Sequence, residues 1–123
     1  MNEYVLHPKV RIASKTSGKH HFFGFHDLCP WDASGRYILA METDFIDRPP
    51  RANDMAGIGL VDLSTFNFQL LSQTHAWNFQ QGSRAQWLPS EPEKIIYNDY
   101  DDGHNKFIAV IFDVKNRKKE RIL

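Results

Sequence analysis

Three imidazoles and one carboxylate are crowded into "HHFFGFHD", residues 20–27, with phenylalanines between them. His26 and Asp27 are residue types that bind zinc, manganese or iron, and they equally suit an acid–base pair. Neighbours on a strand point to opposite faces, so both reach one ion only where the backbone turns. His20 and His21, beside Phe22 and Phe23, also suit packing and hydrogen bonding. A second group lies in "QQGSRAQW", where Gln80, Gln81 and the Arg84 guanidinium surround Gly82. Such an arginine grips a ligand carboxylate with two parallel bonds, or holds a neighbouring aspartate instead. A third group, "NDYDDGHN", holds Asn98, Asp99, Asp101 and Asp102. It has the composition of a calcium loop without the spacing or closing glutamate of an EF-hand, and a polar hairpin tip explains it as well. His75 follows a strand-like stretch and reads as a turn residue. These residues nominate no metal-ligand set.

Several chemistries have no carrier in the chain. There is no Gly-x-Ser-x-Gly elbow, and neither Gly24 nor "QQGSR" has the strand-to-helix setting of a phosphate-cradling loop. The one cysteine, Cys29, can make neither an internal disulfide nor a thiolate zinc site, and is expected to be a buried apolar filler. Fifteen basic residues balance fifteen acidic ones. No overall field therefore draws the chain to nucleic acid or an anionic membrane, and neither partner is expected. The basic run "KNRKKER" reads as a solvated turn and strand. No apolar run approaches the ~20 residues of a membrane helix and no hydrophobic signal core opens the chain, so a cytoplasmic location is expected.

The elements that must position these groups are strands. At 123 residues, 41% hydrophobic and 13% aromatic, the chain has the core material of one ordinary domain. Helical periodicity is nearly absent. "WDASG" is turn chemistry, and "RYILAME", "GIGLVDL" and "FNFQLLSQT" follow as strands punctuated by Asp, Ser, Thr and Asn. Between the first two, Pro49 and Pro50 mark an exposed excursion that is long for a hairpin. The same grammar then returns, with Trp87 over Trp31 at an offset of 56 residues and Asp113 over Asp62 at an offset of 51. Short strands repeating at ~40–50 residues are the mark of β-propeller blades, with a two-sheet sandwich as the alternative. The expected fold is all-β: two antiparallel four-stranded blade-like units over residues 21–75 and 76–123, behind a polar segment 1–20.

"PWDASGRYILA" followed by "IGLVDL" resembles the repeat of Tol-type six- or seven-bladed propellers. The longer strings "HHFFGFHDLCPWDASGRYILAMETDFIDRPP" and "WNFQQGSRAQWLP" resemble the N-terminal blades of bacterial propellers similar to oligogalacturonate lyases. That resemblance implies an acidic oligosaccharide as ligand, β-elimination of a uronate in a complete protein, and a divalent metal as a possible cofactor there. It names no catalytic residue in this chain. Two blades do not close a ring, so the chain reads as a fragment whose open flank is covered by further blades or by self-association.

In that frame "FHDLCP" and "QGSRAQ" are equivalent approaches to one funnel. The expected ligand-binding residues are His21, His26, Asp27, Gln81, Arg84, Asn98 and Asp99, with Trp77 and the phenylalanines available to stack on sugar rings. The alternative is a non-catalytic segment for protein interaction, in which the same side chains lock the units together.

Overall fold

The computed structural model describes residues 14–15 and 18–123. The expected polar segment 1–20 therefore lies mostly outside the described residues. Eight strands run in chain order: β1 (His20–Phe22), β2 (Tyr37–Thr43), β3 (Ala56–Asp62), β4 (Asn67–Thr74), β5 (Gln86–Leu88), β6 (Glu91–Asp101), β7 (Lys106–Asp113) and β8 (Lys118–Ile122). They form two antiparallel four-stranded sheets of simple meander order, β1-β2-β3-β4 and β5-β6-β7-β8. No helix occurs among the described residues, and neither sheet closes on itself.

The internal repeat is visible in the register. Ile38 pairs with Val61 in the first sheet, and Ile95 with Phe112 in the second. Trp31 bridges to Ile38 as Trp87 pairs with Ile95, so the two tryptophans hold matching places. They differ in one respect. Trp87 belongs to a strand, whereas Trp31 makes an isolated bridge and is 51% exposed. The first strand of sheet one is instead His20–Phe22, which begins at the end of the segment read as polar and precedes the approach stretch "FHDLCP". Gly24, at φ 103°, turns the chain out of the ladder, and pairing resumes only at Trp31.

The repeated aspartates are turn caps. Asp62 Oδ1 accepts the Ser64 N–H at 2.9 Å, and Asp113 Oδ1 accepts the Asn116 N–H at 2.9 Å. Each turn then ends in a left-handed residue, Phe66 at φ 62° or Arg117 at φ 54°. An aspartate that bonds its own backbone a few residues on fixes such a turn, and this explains its recurrence without a catalytic role.

Alternation along the strands builds one core between the sheets. Leu39, Met41, Ile58 and Leu60 meet Ile95, Tyr97, Val110 and Phe112 in a single buried cluster that includes Trp77. Tyr97 also donates to or accepts from Ser72 at 2.8 Å, and Ser83 Oγ donates to Met41 Sδ at 3.4 Å, so polar bonds cross the seam as well. Gly59 is required by close approach: a Cβ there would lie 2.2 Å from the Gln69 carbonyl oxygen and 2.5 Å from the Phe68 ring.

Candidate functional site

The long β4–β5 connection is shaped by a tight loop. Asn78 and Gly82 exchange backbone bonds of 3.2 and 2.8 Å, and Asn78 Oδ1 accepts the Gln81 N–H at 2.7 Å. Gly82, at φ 60°, rests against Met41 and Gly24, so the loop after β1 touches the loop before β5. Beside this loop lies a cavity of about 690 Å³. Its polar lining is Arg51, His75, Asn78, Gln81, Arg84 and Asn98, and its apolar lining includes Trp77, Phe107 and Ile108. No aspartate or glutamate lines it.

Gln81, Arg84 and Asn98, three of the seven residues expected to bind a ligand, thus line one cavity. Arg84 reaches them already engaged: Nη1 and Nη2 donate to Asp27 Oδ1 and Oδ2 at 3.0 Å each. That guanidinium holds the Asp27 carboxyl below its usual range. The pair stays accessible, with 34% of the Arg84 side chain and 50% of the Asp27 side chain exposed.

The other nominated residues stand apart from the cavity lining. His26 is exposed and lies against Phe25, with ring centroids 4.2 Å apart. Asp99 Oδ1 accepts from Thr74 Oγ1, the His75 N–H and the Tyr100 N–H, which fixes the backbone at the end of β4. His21 is bonded to Ser14 and Glu42. Asp101 bonds His104 in the β6–β7 tip, where the Tyr100 hydroxyl also meets Asn105.

Two expectations are corrected by burial. Cys29 is exposed rather than buried, because it sits in the loop that leaves the ladder between β1 and Trp31. Trp77 is only 8% exposed, packed among Phe22, Phe45 and Phe79, with Nε1 donating to the Asp54 carbonyl at 3.0 Å. It is a core residue rather than a free stacking surface.

Sequence reasoning missed Arg51. It comes from the excursion between β2 and β3, which is built around Asp54. Arg48 donates to both Asp54 oxygens at 2.6 and 3.1 Å while lying over the Phe45 ring, 3.8 Å from its centroid. The Arg51 N–H donates to Asp54 Oδ2 at 2.7 Å. These bonds hold the Asp54 carboxyl down at about 2. Arg51 is exposed, and its guanidinium pairs with no carboxylate among the described residues. The sequence "DRPPRAND" shows two arginines and two aspartates in one loop, and gives no sign that Arg48 takes Asp54 and leaves the Arg51 guanidinium outside that pairing.

Among the described residues no group of three or more His, Cys, Asp or Glu side chains is placed to hold a metal ion. The divalent metal implied by the lyase resemblance thus finds no ligand set of that size among the described residues. No helix of the described residues is long and apolar enough to cross a membrane. Comparison with protein-family models, with curated proteins and with solved structures returned no match.

Proposed function

We propose that this chain contributes two blades to a β-propeller resembling oligogalacturonate lyases, and that its cavity binds an acidic oligosaccharide. Two four-stranded antiparallel meanders with matching register support the blade reading. The observation that carries the ligand reading is the Arg51 guanidinium in the cavity lining, paired with no carboxylate among the described residues and with no aspartate or glutamate beside it in that lining. Arg51 supplies the uncommitted cation for a uronate carboxylate. The amides of Asn78, Gln81 and Asn98 suit sugar hydroxyls, and the 75% exposed Phe107 offers a ring face for the apolar side of a pyranose.

β-Elimination needs a base for the proton α to the carboxylate and positive charge for the developing enolate. Arg51 and Arg84 fit the second role, and the resemblance names no residue for the first, His75 being the one lining side chain of a suitable type. Binding is accordingly the activity assigned to these residues, with cleavage left to a complete ring. A second reading, protein interaction, is favoured by the exposed apolar groups at one end of sheet two, where Ile122 is 61% and Leu123 67% exposed.

Calorimetric titration separates the two readings. A galacturonate trimer should bind saturably and a neutral galactose trimer should not. Equal binding of both sugars, or of neither, would overturn the acidic-glycan reading.

A further inference from the structure

A second cluster, separate from the cavity, joins a hydroxyl, an imidazole and a carboxylate in line. Ser14 Oγ lies 2.8 Å from His21 Nδ1, and His21 Nε2 lies 2.8 Å from Glu42 Oε2. The order follows from the sheet. His21 on β1 is the cross-strand partner of Glu42 on β2, which puts both side chains on one face. The Phe68 ring stacks on the imidazole at a centroid distance of 4.6 Å and 21° between planes, and fixes its orientation. Only 7% of the His21 side chain and 19% of the Glu42 side chain are exposed, whereas Ser14 is half-buried.

In the neutral imidazole tautomer that donates Nε2–H to the Glu42 carboxylate, Nδ1 is the lone pair that accepts from the Ser14 hydroxyl. A nucleophile bonded to a base, with the base oriented by a third group, is the arrangement that activates serine for acyl transfer. We infer that Ser14 is a nucleophile toward carboxylic esters, with His21 as its base and Glu42 as the positioning residue. Ser14 Oγ adds to the ester carbonyl as its proton passes to His21 Nδ1. The C–O bond to the leaving alcohol then breaks, and that oxygen takes the proton. Water, deprotonated by the same nitrogen, releases the acid and restores the serine.

A fluorophosphonate probe reads this directly on the full chain, since Ser14 Oγ would bond to phosphorus, fluoride would leave, and the hydroxyl proton would pass to His21. Peptide mass spectrometry after brief exposure should find the adduct on Ser14 at least about tenfold ahead of Ser34, an exposed hydroxyl that donates to Asp32 and accepts from the Arg36 N–H with no imidazole bonded to it. Glu42→Gln should slow labelling about tenfold while Ser34 stays unchanged. Equal labelling of Ser14 and Ser34 in the parent chain, or no adduct on Ser14, overturns the inference without recourse to any variant. So does unaltered labelling in a folded Glu42→Gln chain.

Discussion

Arg84 and Asp27 are joined by two parallel bonds of 3.0 Å, and the pair ties the loop after β1 to the loop before β5. Residues 57 positions apart in the chain are thereby locked at the edge of the cavity. A lysine keeps the charge and loses the planar fork. Arg84→Lys should therefore lower the thermal midpoint by a small but measurable amount, consistent with a partly exposed pair. It should reduce galacturonate affinity less than a change at Arg51. Differential scanning calorimetry with a parallel titration checks both statements.

Acid should weaken the fold within a defined window. Asp54 is held at about 2 against an ordinary 3.8, and Asp27, Asp62 and Asp113 are also held low, by Arg84, Arg36 and Asn116 respectively. Groups with depressed values contribute stability above their unfolded values and lose it as pH falls toward the folded ones. The urea midpoint should drop as pH falls from about 4 to about 2, and Asp54→Asn should lessen that drop. A midpoint that stays level across this range would contradict these pairings.

Two core substitutions should act through different physics. Ile95 is fully buried against the first sheet, and Ile95→Ala leaves a cavity that should cost about 2–5 kcal/mol. Gly59→Ala adds a methyl against a backbone carbonyl, so β3 and β4 must move apart at a cost of about 1–3 kcal/mol. Chemical denaturation of each variant gives the comparison.

The β8 edge should associate. Every residue of β8 is exposed, it ends its sheet, and Phe107, Ile122 and Leu123 add apolar area at that end. An unpaired edge beside exposed apolar side chains is a template for further pairing. Light scattering should show oligomers whose fraction falls when Ile122 is replaced by Lys. A strictly monomeric parent chain would contradict the expectation.

Strands and turns were legible because their signals are local. "WDASG" predicts the turn in which Asp32 accepts from Ser34 and from the Tyr37 N–H, and the repeat of Trp, Ile and Asp predicts the shared register. β1 was hidden because three residues paired at the far end of β2 give no alternation to read. Partnering was hidden for a related reason. Arg84 chooses between a ligand and Asp27 according to the approach of two loops distant in sequence, and the Gly24–Gly82 contact that sets it has no sequence pattern. Trp77 was misread because one tryptophan beside polar residues looks exposed until the sheets on either side are known.

Under the proposed function an acidic sugar is held in the cavity through Arg51. The most direct measurement is calorimetric titration of a galacturonate trimer into the parent chain and into Arg51→Ala, at low and at raised salt. Losing a charge-assisted contact of about 1.5–3 kcal/mol predicts affinity lower by roughly ten- to hundredfold in Arg51→Ala. Raised salt should weaken the parent more than the variant. Equal affinity in the two chains, or no heat of binding in the parent, would contradict the account.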